Sequence, residues 1–149
     1  MGIVINRPAT MPLAEVLSQM DISTELPGVG EQPVFEGGPV QPDRGFIIHR
    51  RDRDFSSTIA VSDDMAVSTS RDILEAIASG EGPSDILVAL GYAGWGAGQL
   101  EREIQDNAWL SGPVDADIVF NTPVEARWRS AAALIGVDVA NISSDVGHA

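Results

Sequence analysis

The sequence predicts an α+β fold, and three observations support that class. Its 149 residues are the size of one domain, and 44% of them are apolar, which is enough for a hydrophobic core. Strand-like and helix-like segments follow one another in irregular order, with several consecutive strands in the middle. That order differs from the regular alternation of βαβ units. We therefore predict one α+β domain over residues 1–149.

The first half of the chain predicts one helix and five strands. Residues 2–6 are apolar and predict a buried strand. Residues 12–20 predict a helix, because apolar side chains recur there at helical spacing. Glycines and prolines mark residues 21–33 as a loop. Four short strands are then predicted at about 34–36, 45–50, 57–61 and 65–68.

A helix and a central strand are predicted next. Thr69 and Asp72 resemble a capping box at the start of the helix, and Gly80 is a natural stop for it. Residues 86–90, with the sequence ILVAL, are continuously apolar. Such a run is typical of a central strand that is buried on both faces.

Two more helices and a strand complete the predicted elements. A helix beginning at Gln99 follows the glycine-rich segment GYAGWGAG, and Leu100 and Ile104 are expected to face the core. Residues 116–120, ADIVF, predict a strand. The segment TPVEARWRSAAALIG predicts a helix with these signals at its ends: Thr122 as N-cap, Pro123, Glu125 and the stop at Gly136.

The composition excludes several classes of function. The chain has no cysteine, which excludes disulfides, thiolate metal sites and cysteine nucleophiles. Its net charge is −13 and it has no lysine, so its electrostatic field repels nucleic-acid phosphate and anionic membranes. No apolar run approaches the roughly 20 residues that span a bilayer. The first residues also lack a signal-peptide pattern, so we expect a cytoplasmic protein.

No motif from the residues alone predicts a cofactor, metal or catalytic site. GYAGWGAG matches neither G-x-G-x-x-G nor a P-loop, and it favours tight strand-to-helix packing. His49 and His148 lack a second ligand at helical spacing, so we expect no metal and no cofactor. Ser70 lacks the G-x-S-x-G context of a nucleophile, although His49 offers a base. Residues 49–54, HRRDRD, favour a solvated loop over a nucleic-acid patch, because aspartates interleave the arginines.

Several motifs together resemble one known family. The segments GIVINRP, FEGGPV, RGFIIH, TSRDILE, DILVALGYAGWGAGQLEREIQDNAWL, NTPVEARWRSAAALIGVD and GHA are similar to those of the bacterial YqgE/AlgH family. The resemblance covers nearly the whole chain, and residues 85–110 are its most specific part. It implies a mixed sheet bent into a pseudo-barrel with flanking helices, in a cytosolic protein. The AlgH branch is described as a regulator of alginate biosynthesis and labelled a transcriptional regulator, without an established catalytic mechanism.

The sequence departs from the family pattern at its start. Family members continue upstream of the GIVINRP strand with further strands, one of which resembles FLIAMP. We therefore expect that N-terminal strands of the family are missing here, through a misassigned start or a real truncation. Their loss would leave an unpaired apolar edge on the sheet, and such an edge invites pairing with another chain.

The sequence leaves two functions open. The first is a non-enzymatic regulatory or binding protein that acts through a protein partner or a small ligand, without direct contact to nucleic acid or membrane. The second is an enzyme, or a nucleotide- or small-anion-binding protein, with a cleft where the family motifs converge. The candidate ligand-binding residues of that cleft are Glu36, Gly37, Gly38, Arg44, Arg71, Asp72, Trp95 and Gln99.

Each of these candidates has a functional and a structural interpretation. Arg44 and Arg71 would hold an anionic group, or they would pair with acids inside the protein. Glu36 or Asp72 would orient the ligand or exchange protons with it. Trp95 would offer a stacking face.

The segment FEGGPV predicts a tight turn. Gly37-Gly38-Pro39 would join two strands in a hairpin, with the glycines supplying backbone freedom. Such a turn would bring Glu36 and Arg44 near each other. The two side chains would then either pair or face a ligand together.

Overall fold

A six-stranded sheet forms the centre of the structure, a computed structural model that describes residues 1–137. Helices lie on both faces of the sheet. In chain order the elements are β1 (Pro8–Pro12), α1 (Leu13–Gln19), β2 (Pro33–Glu36), β3 (Val40–Arg50), β4 (Thr58–Ala60), β5 (Met65–Ser68), α2 (Arg71–Ser79), β6 (Ile86–Tyr92), α3 (Gln99–Gln105), α4 (Ala116–Phe120), a 3₁₀ turn (Val124–Ala126) and α5 (Arg127–Leu134). His148 and the terminal GHA segment lie outside the described residues.

The sheet is mixed and open. Its strand order is β1-β2-β6-β3-β5-β4. β2 pairs with β6 in parallel, and the other neighbouring strands pair antiparallel. Within residues 1–137, β1 and β4 are the outer strands and do not pair with each other, so the sheet is not closed. The predicted α+β class is confirmed.

Two hydrophobic clusters pack on opposite faces of the sheet. One joins α1 and α2 to Val34 and Val88, and the other joins α4 to Phe35 and Leu87. Neighbouring strand residues thus alternate between the clusters, as the pleat of a strand requires. Leu87, Val88 and Ala89 are each at most 3% exposed. The prediction of a central strand buried on both faces is confirmed for β6.

The connection Gly37-Gly38-Pro39 is not the predicted hairpin, because β6 lies between β2 and β3. These three residues carry the chain past the end of β6 and across two strand spacings, which is about 10 Å. The local turn signals are present, but they do not reveal that a strand from later in the chain inserts between the two. The hairpin prediction was wrong for that reason.

The crossing places two glycines against the backbone at the end of β6. Gly37 donates its N–H to the carbonyl of Leu90 at 2.7 Å. A Cβ atom on Gly37 would lie 2.4 Å from the carbonyl oxygen of Gly91, and one on Gly38 would lie 2.0 Å from the carbonyl carbon of Tyr92. Gly91 has a φ of 77°, and its Cβ would lie 2.3 Å from the carbonyl oxygen of Gly38. Glycine is therefore required on both sides of this contact.

Residues 2–6 form an isolated bridge rather than the predicted buried strand. Gly2 and Ala93 exchange two backbone hydrogen bonds of 2.8 Å, and Val4 donates its N–H to the carbonyl of Gly37 at 2.8 Å. The segment is half-buried. Within the described residues its backbone bonds to the sheet only at these points, because its partners are the crossing and the end of β6 rather than a continuous strand. Apolar composition alone does not distinguish this arrangement from a strand.

Two predictions in the second half of the chain were wrong. Residues 116–120 form the helix α4 rather than a strand, because the side chain of Asp115 accepts hydrogen bonds from the N–H groups of Asp117 and Ile118. No residue of α3 is fully buried, and Ile104 is 40% exposed instead of facing the core. The helix α3 lies at the surface of the protein.

The helix termini also differ from the predicted ones. Ser70 is the N-cap of α2, and the hydroxyl of Thr69 contacts a serine of the preceding loop instead of capping. Thr122 donates its hydroxyl to the carbonyl of Asp117, so the last predicted helix begins later and is divided into the 3₁₀ turn and α5. Gly80 ends α2 in the left-handed conformation, as predicted.

We predict that Gly38→Ala lowers the free energy of unfolding by about 3 kcal/mol or more, because the new methyl group would overlap the backbone of Tyr92. Urea denaturation followed by circular dichroism measures the change. Gly45→Ala in β3 is the matched control, since a Cβ there has no neighbour within 4 Å. Equal stability of the two variants would contradict the crossing described above.

Candidate functional site

A groove of about 270 Å³ lies between the first residues of the chain and the last two α-helices. Residues 2–6, α4 and α5 line it, together with Trp95 and Trp109. Its walls are mainly apolar, and none of its lining residues is an Asp or Glu. Concave apolar surfaces with a few polar groups are the usual form of small-molecule sites.

All three tryptophans of the chain line this groove, and each is half-buried. Trp95 and Trp109 meet edge to face with their ring centroids 5.9 Å apart, a favourable aromatic geometry. The indole N–H of Trp109 donates to Glu103 at 3.0 Å and fixes that ring. A Cβ atom on Gly2 would lie 2.9 Å from the ring of Trp95, so glycine allows the indole to lie against the backbone.

Arg127 is the one cation in the lining of the groove, and it is only 8% exposed. Its Nε donates to the carbonyl of Thr122 at 3.1 Å, and Nη1 donates to the carbonyl of Ile5. The guanidinium carbon lies 4.9 Å from the ring centroid of Phe35, within cation–π range. Arg127 therefore ties residues 2–6 and the sheet to the start of α5.

The charge of Arg127 has no acidic partner among residues 1–137. No carboxylate oxygen lies within 4 Å of its guanidinium there, and Nη2 donates no hydrogen bond within that part of the chain. Burial lowers the pKa of Arg127 from its usual value, although the group remains protonated at neutral pH. A buried cation held only by carbonyl groups and an aromatic face attracts any anionic group that enters the groove.

Glu36 and Arg44 do not pair with each other. Glu36 lies 3.8 Å from Arg7, and both side chains of that pair are mostly exposed. Arg44 donates to Gln41 at 3.2 Å and lies over the ring of Phe46. Because the chain crosses β6 between them, the two residues belong to strands that are not neighbours.

Arg71 and Asp72 bond to other groups of the protein at the surface, at the start of α2. Arg71 bonds to Glu75 at 3.0 Å and to the carbonyl of Met20. Asp72 accepts hydrogen bonds from the N–H and hydroxyl of Ser56, at 2.8 and 2.9 Å, and from the hydroxyl of Ser70. Burial acts to raise the pKa of Asp72, but the bonds from Ser70 and Ser56 outweigh it and lower the pKa. Arg71 lines a hollow beside α2 that Arg44 does not share.

The remaining candidate residues lie in three different places. Gly37 and Gly38 form the crossing, and Trp95 lines the groove. The side-chain oxygen of Gln99 accepts the N–H of Gly96 at 2.9 Å, beside an open depression along α3. The eight candidates therefore do not converge on one cleft in the structure, and Trp95 alone of them lines the groove.

His49 belongs to a buried polar network. It is 0% exposed, and its ring nitrogens contact the carbonyl of Arg50 at 2.7 Å and the hydroxyl of Ser68 at 2.8 Å. Ser68 in turn contacts Thr58 at 2.8 Å. Ser70 instead donates to Asp72, so it is not the partner of His49. The His49–Ser68 pair is closed to substrate, because both residues are fully buried.

The described residues contain neither a cluster of metal-ligating side chains nor a membrane-spanning helix. Within residues 1–137, no group of three or more His, Asp or Glu side chains is placed to hold a metal ion. In the same part of the chain, no helix is long and apolar enough to cross a membrane.

Comparison with known proteins decides the family. The model of the AlgH-like family matches residues 1–140. The chain belongs to the AlgH-like family. This AlgH-like chain is 58% identical over its full length to a UPF0301 protein of Thioalkalivibrio sulfidiphilus, and it covers 80% of that relative. A UPF0301 protein of Methylococcus capsulatus is 51% identical over 99% of the chain, with 79% of that relative covered.

Solved structures share the fold of this AlgH-like chain. The solution structure of the AlgH protein from Pseudomonas aeruginosa aligns with a TM-score of 0.80 and 47% identity, over the whole chain and 79% of that protein. A crystal structure of a Corynebacterium diphtheriae protein aligns with a TM-score of 0.57 and 16% identity, over 77% of the chain and 60% of that protein. The second match concerns the fold alone.

Sequence reasoning missed most of the groove of the AlgH-like chain. Trp109, Trp128 and Arg127 are separated along the chain from residues 2–6, and no local motif links them. One signal was available. A chain with only 5% aromatic residues places three tryptophans in its second half, and tryptophan is enriched at binding interfaces because it joins a large apolar ring to a hydrogen-bond donor.

We predict that Asp72→Asn destabilises the protein by about 1 kcal/mol at neutral pH, because charged acceptors form the stronger hydrogen bonds. Since the folded-state pKa of Asp72 is lowered, its contribution is complete above the unfolded value of about 3.9. That contribution is lost as the pH falls through the folded-state pKa. Urea melts between neutral pH and pH 3 measure the difference, with Asp54→Asn at an exposed position as control. A difference that grows towards low pH would contradict this assignment.

Proposed function

We propose that this AlgH-like protein is a binding protein whose ligand site is the groove lined by the three tryptophans. The groove itself is the observation that carries the proposal. It combines apolar walls, half-buried aromatic rings and one buried cation, which is the composition of a ligand site rather than of an ordinary surface. The proposed role is regulatory and non-enzymatic, in the cytoplasm, with the bound ligand or a protein partner as the signal.

Charge supports a role without direct contact to DNA. The chain carries −13, and its nine basic residues are all arginines. Arg50, Arg51, Arg53 and Arg71 donate to acceptors within the protein. A direct DNA reader presents a basic face to phosphate, and this distribution opposes one. A regulator of this charge would act on transcription through another molecule.

A neutral apolar compound should bind in the groove. We expect 1-octanol to change the tryptophan emission of the protein in a saturable way, because its chain would displace water from around the indole rings. Trp95→Ala and Trp128→Ala should each weaken binding by about 1 kcal/mol, since aromatic contacts contribute roughly that much. Calorimetry on the same variants provides a readout that is independent of the altered fluorophores.

The control for this test is Ile59→Ala. Ile59 is 62% exposed on the outer strand β4 and does not line the groove, so the variant removes apolar surface elsewhere on the protein. It should leave octanol binding unchanged. Absence of saturable binding by octanol and by its charged analogues of the same length, or equal losses in all three variants, would overturn the proposed function.

The protein should not bind DNA directly at physiological salt. A gel-shift titration of candidate promoter fragments at about 0.15 M salt should show no complex, because the field of the protein repels phosphate. A retarded band that survives competition with unrelated DNA would contradict the proposal.

A further inference from the structure

We propose that the ligand of the groove is a small monocarboxylate with an apolar body. Its carboxylate would bind Arg127, and its apolar part would lie among Trp95, Trp109 and Trp128. The inference rests on the proposed function and specifies the chemistry of the ligand.

The state of Arg127 favours an anion. The residue is only 8% exposed, and its Nε and Nη1 already donate hydrogen bonds to carbonyl oxygens. Nη2 donates to no atom of residues 1–137 and is not fully buried, so it can donate to an acceptor that enters the groove. A carboxylate accepts such charge-assisted hydrogen bonds at short distance. The guanidinium is already oriented by Phe35, so little side-chain entropy is lost on binding.

The charge balance favours a single negative charge. Arg127 is the one cation and no Asp or Glu lines the groove, so a monoanion would neutralise the site. A phosphate group carries close to two charges and is usually held by several cations or by backbone N–H groups. Arg127 is the sole charged group of the lining, and the rest is mainly apolar. The groove therefore suits a carboxylate on an apolar chain or ring better than a phosphate ester.

The size of the groove limits the ligand. Its volume of about 270 Å³ is slightly below the usual range of ligand pockets, which is roughly 300 to 1,000 Å³. Because a water molecule occupies about 30 Å³, the groove holds a ligand of on the order of ten non-hydrogen atoms. Octanoate has that size, and 1-octanol and octylamine are matched compounds that differ only in the head group.

The first experiment compares these three probes on the unaltered protein by calorimetry and tryptophan emission. Octanoate should bind at least about ten-fold more tightly than 1-octanol, the effect of one charge-assisted hydrogen bond. Octylamine should bind more weakly than both, because its ammonium group would meet Arg127. Equal affinity of octanoate and octanol would overturn this inference while leaving the proposed function intact. Failure of all three probes to bind would instead overturn the proposed function.

The second experiment removes the positive charge of Arg127. Arg127→Gln should remove the ten-fold preference for octanoate while retaining octanol binding, and Arg127→Lys should keep part of the preference. Arg129→Gln is the control, since Arg129 lies on the same helix, is exposed and does not line the groove. Circular dichroism establishes that each variant is folded. If Arg127→Gln does not fold, the comparison of head groups on the unaltered protein still decides the inference.

A preference for octanoate that persists in folded Arg127→Gln, or that disappears in Arg129→Gln, would place the carboxylate elsewhere. Either result would overturn the assignment of Arg127. Matched affinities of octanoate and octyl phosphate would contradict the argument from charge balance.

Discussion

The contact between Gly37-Gly38 and the backbone of residues 91–93 is the constraint on which the rest of the structure depends. It lets the chain leave β2, pass the end of β6 and enter β3 on the other side. A side chain at either glycine would separate these segments, because its Cβ would lie within 2.4 Å of backbone atoms. The same contact supplies the carbonyl that holds Val4, and so it fixes the position of residues 2–6.

The groove follows from that position. Residues 2–6 are held on one side by the crossing and by Ala93, and on the other by Arg127, which donates to Ile5. The apolar side chains of this half-buried segment then meet tryptophans from two distant parts of the chain. Arg127 contributes to structure and to the site at once, since the carbonyls that orient it leave part of the guanidinium available. An internal carboxylate in the same place would stabilise the arginine and remove its value for binding.

Local patterns predicted those elements whose structure is determined locally. The continuous apolar run of β6, the helix α2 with Gly80 at its end and the strands β2, β3 and β5 all appear close to their predicted positions. ADIVF was taken for a strand because five residues carry too little periodicity, and the decisive signal was the capping side chain of Asp115. The turn at Gly37-Gly38 and the segment 2–6 depend on β6 and the residue after it, which lie about fifty to ninety residues later in the chain, so local chemistry could not assign them.

In the candidate site, too, local sequence patterns identified some residues and missed those that come together only in the fold. Arg44, Arg71 and Asp72 belong to polar motifs that stood out in the sequence, yet their partners are residues of the protein itself. Trp95 was named for its stacking face, whereas Arg127 and Trp128 lie in a family motif that was interpreted only as a helix. The central claim is that these residues form one ligand site, and NMR of the indole and guanidinium N–H groups tests it most directly. Titration with octanoate should shift the signals of Trp95, Trp109, Trp128 and Arg127 Nε together along one saturation curve. Saturable shifts confined to other residues, with these four unchanged, would contradict it.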